Sequence, residues 1–96
     1  MKIFEENYKP IEISVKNIEG KEFNLKSLFQ TAKETRKVEE IMKDENMFNT
    51  DKILSMMTFL FGNNEDFYKQ FSLDLLSKVA EFIQEENKKK QDKVTG

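Results

Sequence analysis

Carboxylates, lysines, tyrosines and hydroxyl groups are the side chains left for chemistry in this sequence, because it contains no histidine and no cysteine. This removes the usual zinc ligands, cysteine nucleophiles, disulfides and histidine-based triads. Acid–base catalysis by two carboxylates needs a pocket that tunes their pKa values. No spacing among the 18 acidic residues selects such a pair. We therefore expect no catalytic residue and no enzymatic activity.

Metal and cofactor sites are also not expected. The stretch Asp44–Asp51 (DENMFNTD) is rich in oxygen ligands, but it lacks the glycine at the sixth position of a calcium loop. Ser55 stands at the twelfth position, where such a loop has an acid. Gly20, Gly62 and Gly96 are too far apart to build a phosphate-binding loop. Helix-capping residues in a connector explain the oxygen-rich stretch better.

The charge balance excludes other partner classes. The net charge of −2 argues against nucleic acid, which is usually bound by a basic excess or stripe. The basic run Lys88–Lys90 is interleaved with acidic neighbours, so a solvated helix end explains it. No apolar run approaches the ~18 residues that span a bilayer, and Glu5 and Glu6 interrupt any signal peptide. We expect a cytoplasmic protein that binds neither nucleic acid nor membrane.

The patterning predicts one α+β, mainly α domain over residues 1–96, with an N-terminal β-hairpin followed by three to four packed helices. Residues 1–9 form an N-terminal arm. Residues 10–25 form the hairpin, because apolar and polar residues alternate from Ile11 to Lys16 and again in Lys21–Leu25. Asn17–Gly20 supplies the turn. Residues 26–88 form the helical body, and residues 89–96 form a flexible tail.

The start of the helical body is predicted at Ser27, as an N-cap with Gln30 completing a capping box. Apolar positions then continue along one side as far as Met42. The run Lys33–Lys37 contains no apolar residue, so the pattern leaves open whether this helix is continuous.

The later helices have clearer ends. The second runs over about Asp51–Phe61, with Asn49 or Thr50 as its cap and Gly62 as its C-terminal stop. One or two helical turns follow in Glu65–Phe71. Ser72 then caps the last helix, whose apolar stripe comprises Leu73, Leu76, Val79, Ala80 and Ile83, with Leu75 and Phe82 at its edge.

Protein binding is the remaining class of function. The last helix is apolar over about half its circumference, more than one neighbour needs. Phe59 falls on the polar side of its helix. The internal methionines Met42, Met47, Met56 and Met57 suit an adaptable surface, although core packing is the better explanation for them. Helical geometry gives these partner-binding candidates: Met56, Met57, Phe59, Phe67, Phe71 and Phe82.

The order of elements resembles the small tail assembly chaperones of long-tailed phages and prophages. The segment Phe59–Glu86 (FLFGNNEDFYKQFSLDLLSKVAEFIQEE) carries most of the similarity, and Ile11–Leu28 looks like the opening hairpin of the family. Leu60–Gly62 matches the apolar-plus-glycine step that ends a helix, and Glu65–Phe67 matches the acidic and aromatic stretch. The final amphipathic helix is matched by Leu75, Leu76, Val79, Phe82 and Ile83.

The resemblance implies a non-enzymatic chaperone that binds the helical tape-measure protein and keeps it soluble in the host cytoplasm during tail assembly. In many such phages a ribosomal frameshift makes a longer form that contacts the tail tube protein, which is then a second expected partner. The alternative is another small phage or mobile-element interaction protein: a head–tail connector, a scaffold or a host-protein inhibitor. A homo-oligomer is a further expectation, because it would bury the same apolar faces.

Overall fold

The computed structural model describes residues 1–95, with side chains described as far as Glu86. Its elements are β1 (Glu12–Lys16), β2 (Glu22–Lys26), α1 (Ala32–Lys43), α2 (Asn49–Phe61), α3 (Glu65–Tyr68) and α4 (Leu73–Thr95). The expected fold class is confirmed, because an antiparallel hairpin precedes four helices in the described chain. The tail expected over residues 89–96 lies outside the fully described residues and stays a prediction.

The hairpin has one apolar and one polar face, as the alternation of apolar and polar residues predicted. Ile13 pairs with Leu25 and Val15 pairs with Phe23, and all four side chains lie on the inner face. Val15 and Leu25 are buried there, whereas the alternate residues of both strands are exposed. A two-stranded hairpin is marginal alone in water, so this inner face must pack against the helices to persist.

The turn between the strands is held by Asn17. Its side-chain oxygen accepts hydrogen bonds from the backbone N–H groups of Glu19 and Lys21, each over 3.0 Å. Gly20 has a φ of 87°, a conformation that glycine adopts at little steric cost. The turn predicted over Asn17–Gly20 is therefore confirmed.

The predicted helix start at Ser27 is wrong, because α1 begins at Ala32. Ser27 instead extends the hairpin by one pair. Its backbone N–H donates to the carbonyl oxygen of Ile11 over 2.9 Å, and its hydroxyl accepts from the N–H of Ile11 over 2.8 Å. A side chain engaged with a neighbouring strand is not free to cap a helix.

The segment after Ser27 caps the end of α2. The last carbonyl groups of a helix have no partner within the helix. The N–H of Leu28 donates to the carbonyl of Leu60 over 2.7 Å, and Nε2 of Gln30 donates to the carbonyl of Phe59 over 2.7 Å. Gln30 therefore caps the C-terminal end of α2 and does not take part in the N-terminal capping box predicted at Ser27, so that prediction is wrong.

The helix α1 is continuous through the run Lys33–Lys37, which settles the continuity that the sequence left open. Thr31 is its N-cap, and the N–H of Thr31 donates to the carboxylate of Glu34 over 2.9 Å within a capping box. None of its side chains is buried. Met42, which the pattern placed on the apolar side, is 45% exposed. The helix thus lies on the surface, against α2.

The helix α2 ends where predicted and begins slightly earlier. Its N-cap is Phe48, so the expected capping by Asn49 or Thr50 is wrong, and both residues lie in the first turn. Gly62 follows its last residue with a φ of 82°, which confirms the predicted stop. The N–H of Gly62 donates to the carbonyl of Thr58 over 2.9 Å.

Side-chain caps start the last two helices. The side-chain oxygen of Asn64 accepts from the N–H of Phe67 over 3.0 Å at the start of α3. The hydroxyl of Ser72 accepts from the N–H of Leu75 over 3.1 Å at the start of α4, as the sequence predicted.

The core lies between the inner face of the hairpin and helices α2, α3 and α4. Its buried members are Val15, Leu25, Leu54, Met57, Phe61, Tyr68, Phe71, Leu76, Val79 and Ile83. On the β2 side, Phe23 contacts Phe67 and Phe71 edge to face, with ring centroids 5.3 and 5.8 Å apart. Such pairs add ~0.5–1.5 kcal/mol beyond the area they bury, so they fix the hairpin on the helices.

Candidate protein-interaction surface

The groups with shifted pKa values have structural causes. Burial raises the pKa of Tyr68, whose hydroxyl donates to the carbonyl of Gly62 over 2.5 Å. The hydrogen bond from the Thr31 side chain lowers the pKa of Glu34, which belongs to the capping box of α1. In the part of the chain that the structure describes, no three acidic residues come together in a way that could hold a metal ion. The two groups with shifted pKa values therefore belong to contacts that hold the fold together.

Three of the six partner-binding candidates from the sequence are buried. Met56 is 2% exposed, Met57 is fully buried and Phe71 is 7% exposed. Met57 and Phe71 belong to the core cluster. These side chains fill the interior, so a partner on the folded surface has almost no access to them.

The other three candidates reach the surface to different degrees. Phe67 is half-buried against the core, in contact with Phe23 and Phe71. Phe59 is also half-buried, with its carbonyl occupied by Gln30. Phe82 is 43% exposed. The six predicted candidates therefore do not form one surface, and Phe82 is the most accessible of them.

Phe82 contributes to a shallow groove of about 260 Å³ between the hairpin and the last helix. We call it the β1–α4 groove. Its walls are mainly apolar, and Ser14 and Lys78 are its polar members. It is lined by Ile13, Ser14, Val15, Leu75, Lys78, Val79 and Phe82.

A second apolar groove, of about 280 Å³, lies where α1, α2 and α4 meet. We call it the helical groove. It is lined by Met42, Asn49, Lys52, Ile53, Leu73 and Ser77. Nζ of Lys52 donates to the carbonyl of Met42 over 3.2 Å, which ties α2 to the end of α1. Phe48 precedes α2 directly and is 79% exposed. Apolar side chains from three helices, Met42, Ile53 and Leu73, thus line one groove.

Tyr8 anchors the N-terminal arm. The hydroxyl of Tyr8 donates to the carbonyl of Ser27, and its ring meets Phe29 edge to face at 5.5 Å. Ile3 and Phe4, which precede it, are exposed. The arm therefore covers part of the segment between β2 and α1 without joining the core.

Sequence reasoning missed the helical groove. The sequence places Leu73 in the apolar stripe of α4, but it is the first residue of that helix and is 42% exposed. Its position at the helix end was the available signal, because an end residue can extend past the elements that cover the rest of its stripe. Phe48 carried no periodic signal, since it lies in the connector between two helices.

Comparisons of the chain with models of protein families, with curated proteins and with solved structures find no match. Among the described residues, no helix combines the length and the apolar character needed to cross a bilayer.

Proposed function

We propose that this protein is a non-enzymatic phage tail assembly chaperone that binds the tape-measure protein in the host cytoplasm and keeps it soluble until the tail tube assembles. The observation that carries the proposal is the helical groove. Met42, Ile53 and Leu73 line it, and Phe48, the residue before Asn49 of the lining, is exposed. Apolar groups left at solvent by an otherwise packed domain are typical of interaction surfaces.

The shape of the helical groove suits a helical client. A groove between helices accepts the apolar stripe of another amphipathic helix, with anchors spaced by about one turn. A tape-measure protein is long and largely helical, so it offers such stripes repeatedly before it is sheathed. Met42 adds an unbranched side chain that adapts to different client side chains.

The sequence supports the proposal independently of the groove. The segment Phe59–Glu86 resembles the corresponding part of tail assembly chaperones, and Lys88–Lys90 is a place where adenine-rich codons would allow a frameshift. A longer form made in that way would add contacts to the tail tube protein. Binding to both proteins would place the chain between client and tube during assembly.

Co-expression tests the proposal. The gene of the client is taken as the longest helix-rich reading frame beside this gene in its source genome. We expect its product to be insoluble alone and soluble when this chain is co-expressed, measured as the soluble fraction after centrifugation. Leu73→Glu should abolish the rescue, because it places a charge in the helical groove. The new carboxylate lies in the first turn of α4, where the helix dipole tolerates it, so the fold should persist.

Phe82→Glu is the matched control, since Phe82 is equally exposed on the same helix but lies in the β1–α4 groove. It should leave the rescue intact. A client that stays insoluble with the unmodified chain would contradict the proposed function. Equal loss of rescue in both variants would contradict the assignment of the helical groove.

A further inference from the structure

Besides the helical groove, the domain has an open sheet edge at β1, where backbone groups lack backbone hydrogen-bond partners among residues 1–95. In the described chain the sheet has two strands, so the outer edge of β1 pairs with no strand there. The N–H of Asn17 donates to the carbonyl of Lys21, and the N–H of Ser27 donates to the carbonyl of Ile11. Hydrogen-bonded pairs alternate along an antiparallel ladder. The backbone groups of residues 12, 14 and 16 therefore point away from β2.

None of these outward N–H and C=O groups has a backbone partner among the described residues. An unpaired row of this kind is a template for another strand, and natural proteins usually cover it or block it. Here the row carries neither proline nor a bulge, since Glu12–Lys16 pairs regularly along its whole length. The edge is thus ready for strand addition.

The sequence of β1 is complementary to itself. If two copies pair antiparallel about a two-fold axis at Ser14, each Glu12 faces Lys16 of the other copy, and the two Ser14 residues face each other. On the inner face, Ile13 then meets Val15. Opposite charges at directly facing positions stabilise a strand pair, and all outward backbone groups of the strand find partners in this register.

The exposed face of the hairpin continues the same charge pattern. Glu12 forms an ion pair with Lys26 across the hairpin at 3.5 Å, and Lys16 faces Glu22. Ser14 donates to the side-chain oxygen of Asn24 over 2.7 Å. Pairing two copies would therefore give rows of alternating charge across four strands, with neutral residues in the central row.

We propose that the chain forms a symmetric homodimer by antiparallel pairing of the two β1 edges, with a four-stranded sheet across the interface. The β2 strand also begins with glutamate and ends with lysine. The β1–α4 groove favours β1, because it lies along that edge and contains Phe82. A two-fold axis normal to the sheet keeps the inner faces together, so each copy would cover the groove of the other. This inference is independent of the proposed function, which uses the helical groove.

Sedimentation velocity over a range of concentrations tests the dimer. We expect the unmodified chain to dimerise and Ser14→Lys to raise the dimer Kd by about tenfold or more, because two lysines would face each other on the axis. Asn24→Lys is the matched control. It lies in the same row of the sheet but on β2, so it should leave the Kd nearly unchanged. A chain that stays monomeric throughout, or dissociation by Asn24→Lys alone, would overturn the proposal.

Charge reversal provides a test that does not depend on one variant folding well. Lys16→Glu alone and Glu12→Lys alone should each lose self-association, because like charges then face each other across the axis. Mixed together, the two variants should form a heterodimer, since every facing pair is again of opposite charge. Folding of each variant is checked by circular dichroism, and failure of two folded variants to associate would contradict the register.

Cross-linking gives the geometry directly. The chain has no cysteine, so Ser14→Cys introduces a single thiol on the axis. Facing residues in a hydrogen-bonded antiparallel pair have Cα atoms ~5.5 Å apart, within the span of a disulfide. Oxidation should cross-link Ser14→Cys and leave Asn24→Cys monomeric on a non-reducing gel. The reverse pattern would overturn the proposal.

Discussion

Tyr68 and Gly62 are joined by a hydrogen bond of 2.5 Å from the phenol hydroxyl to the backbone carbonyl. The side chain of Tyr68 is fully buried. Gly62 ends α2, and Tyr68 belongs to α3, so the bond fixes the reversal of the chain between these helices. The hydroxyl also accepts from Nδ2 of Asn63 over 3.4 Å, at a residue with a positive φ of 65°. One buried phenol therefore stabilises the junction from which α3 and α4 are positioned.

Removing the hydroxyl tests this junction. Tyr68→Phe should lower the free energy of unfolding by about 1–2 kcal/mol, because the carbonyl of Gly62 loses its partner while the ring still fills the core. Urea denaturation followed by circular dichroism measures the change. Tyr8→Phe is the control, since the hydroxyl of Tyr8 also donates to a backbone carbonyl but lies on the surface. An equal or larger loss in the control would contradict the special role of Tyr68.

The same residue predicts a loss of stability in alkali. Burial raises the pKa of Tyr68 in the folded state, so the folded protein holds the phenol proton more tightly than the unfolded chain does. Its contribution is complete below the ordinary tyrosine pKa of ~10 and is lost as the pH rises through the folded-state pKa. The free energy of unfolding should fall from about pH 10 upward. Tyr68→Phe should show a shallower fall over the same pH range.

Gly62 should not tolerate a side chain, because of its backbone angles. Its φ of 82° and ψ of −157° lie in a region that is essentially restricted to glycine. An added Cβ would lie 3.5 Å from Cδ1 of Leu28, an ordinary contact, so crowding adds little. Gly62→Ala should lower the melting temperature through about 1–3 kcal/mol of backbone strain. An unchanged melting temperature would show that the junction can adopt another conformation.

Two phenylalanines from the sequence-predicted set should behave differently on truncation. Phe71→Ala should cost about 3–5 kcal/mol, because it removes a ring from the buried core. Phe82→Ala should cost less than about 1 kcal/mol in the monomer, because much of its ring already faces solvent. Both values come from denaturant titrations at concentrations too low for association. Similar losses would contradict the division between core and surface.

The hairpin, the C-terminal end of α2 and the start of α4 could be predicted from the sequence. Strict alternation around Ile13 and Val15 defines one apolar face of a strand, and the local turn at Asn17–Gly20 then fixes the register of the pair. Gly62 ends α2 and Ser72 caps α4 by interactions within a few residues of each other. Predictions of this kind succeed because the decisive contacts are local.

The start of α1 could not be predicted in the same way. Ser27 and Gln30 have the chemistry of a capping box, but their groups bond to Ile11 and Phe59, which are distant in sequence. Thr31 and Glu34 offer the same chemistry four residues later and form the box. Which of the two possible capping boxes forms depends on hydrogen-bond partners that come close only in the folded chain.

Residue order and backbone geometry are enough to specify a hairpin followed by helices and the apolar face of each element. Which of the apolar residues are covered depends on how these elements pack in three dimensions. A helical periodicity gives the direction of a side chain but not the number of elements around it. Met57 and Phe71 are therefore buried, while Leu73 and Phe82 remain at two separate grooves.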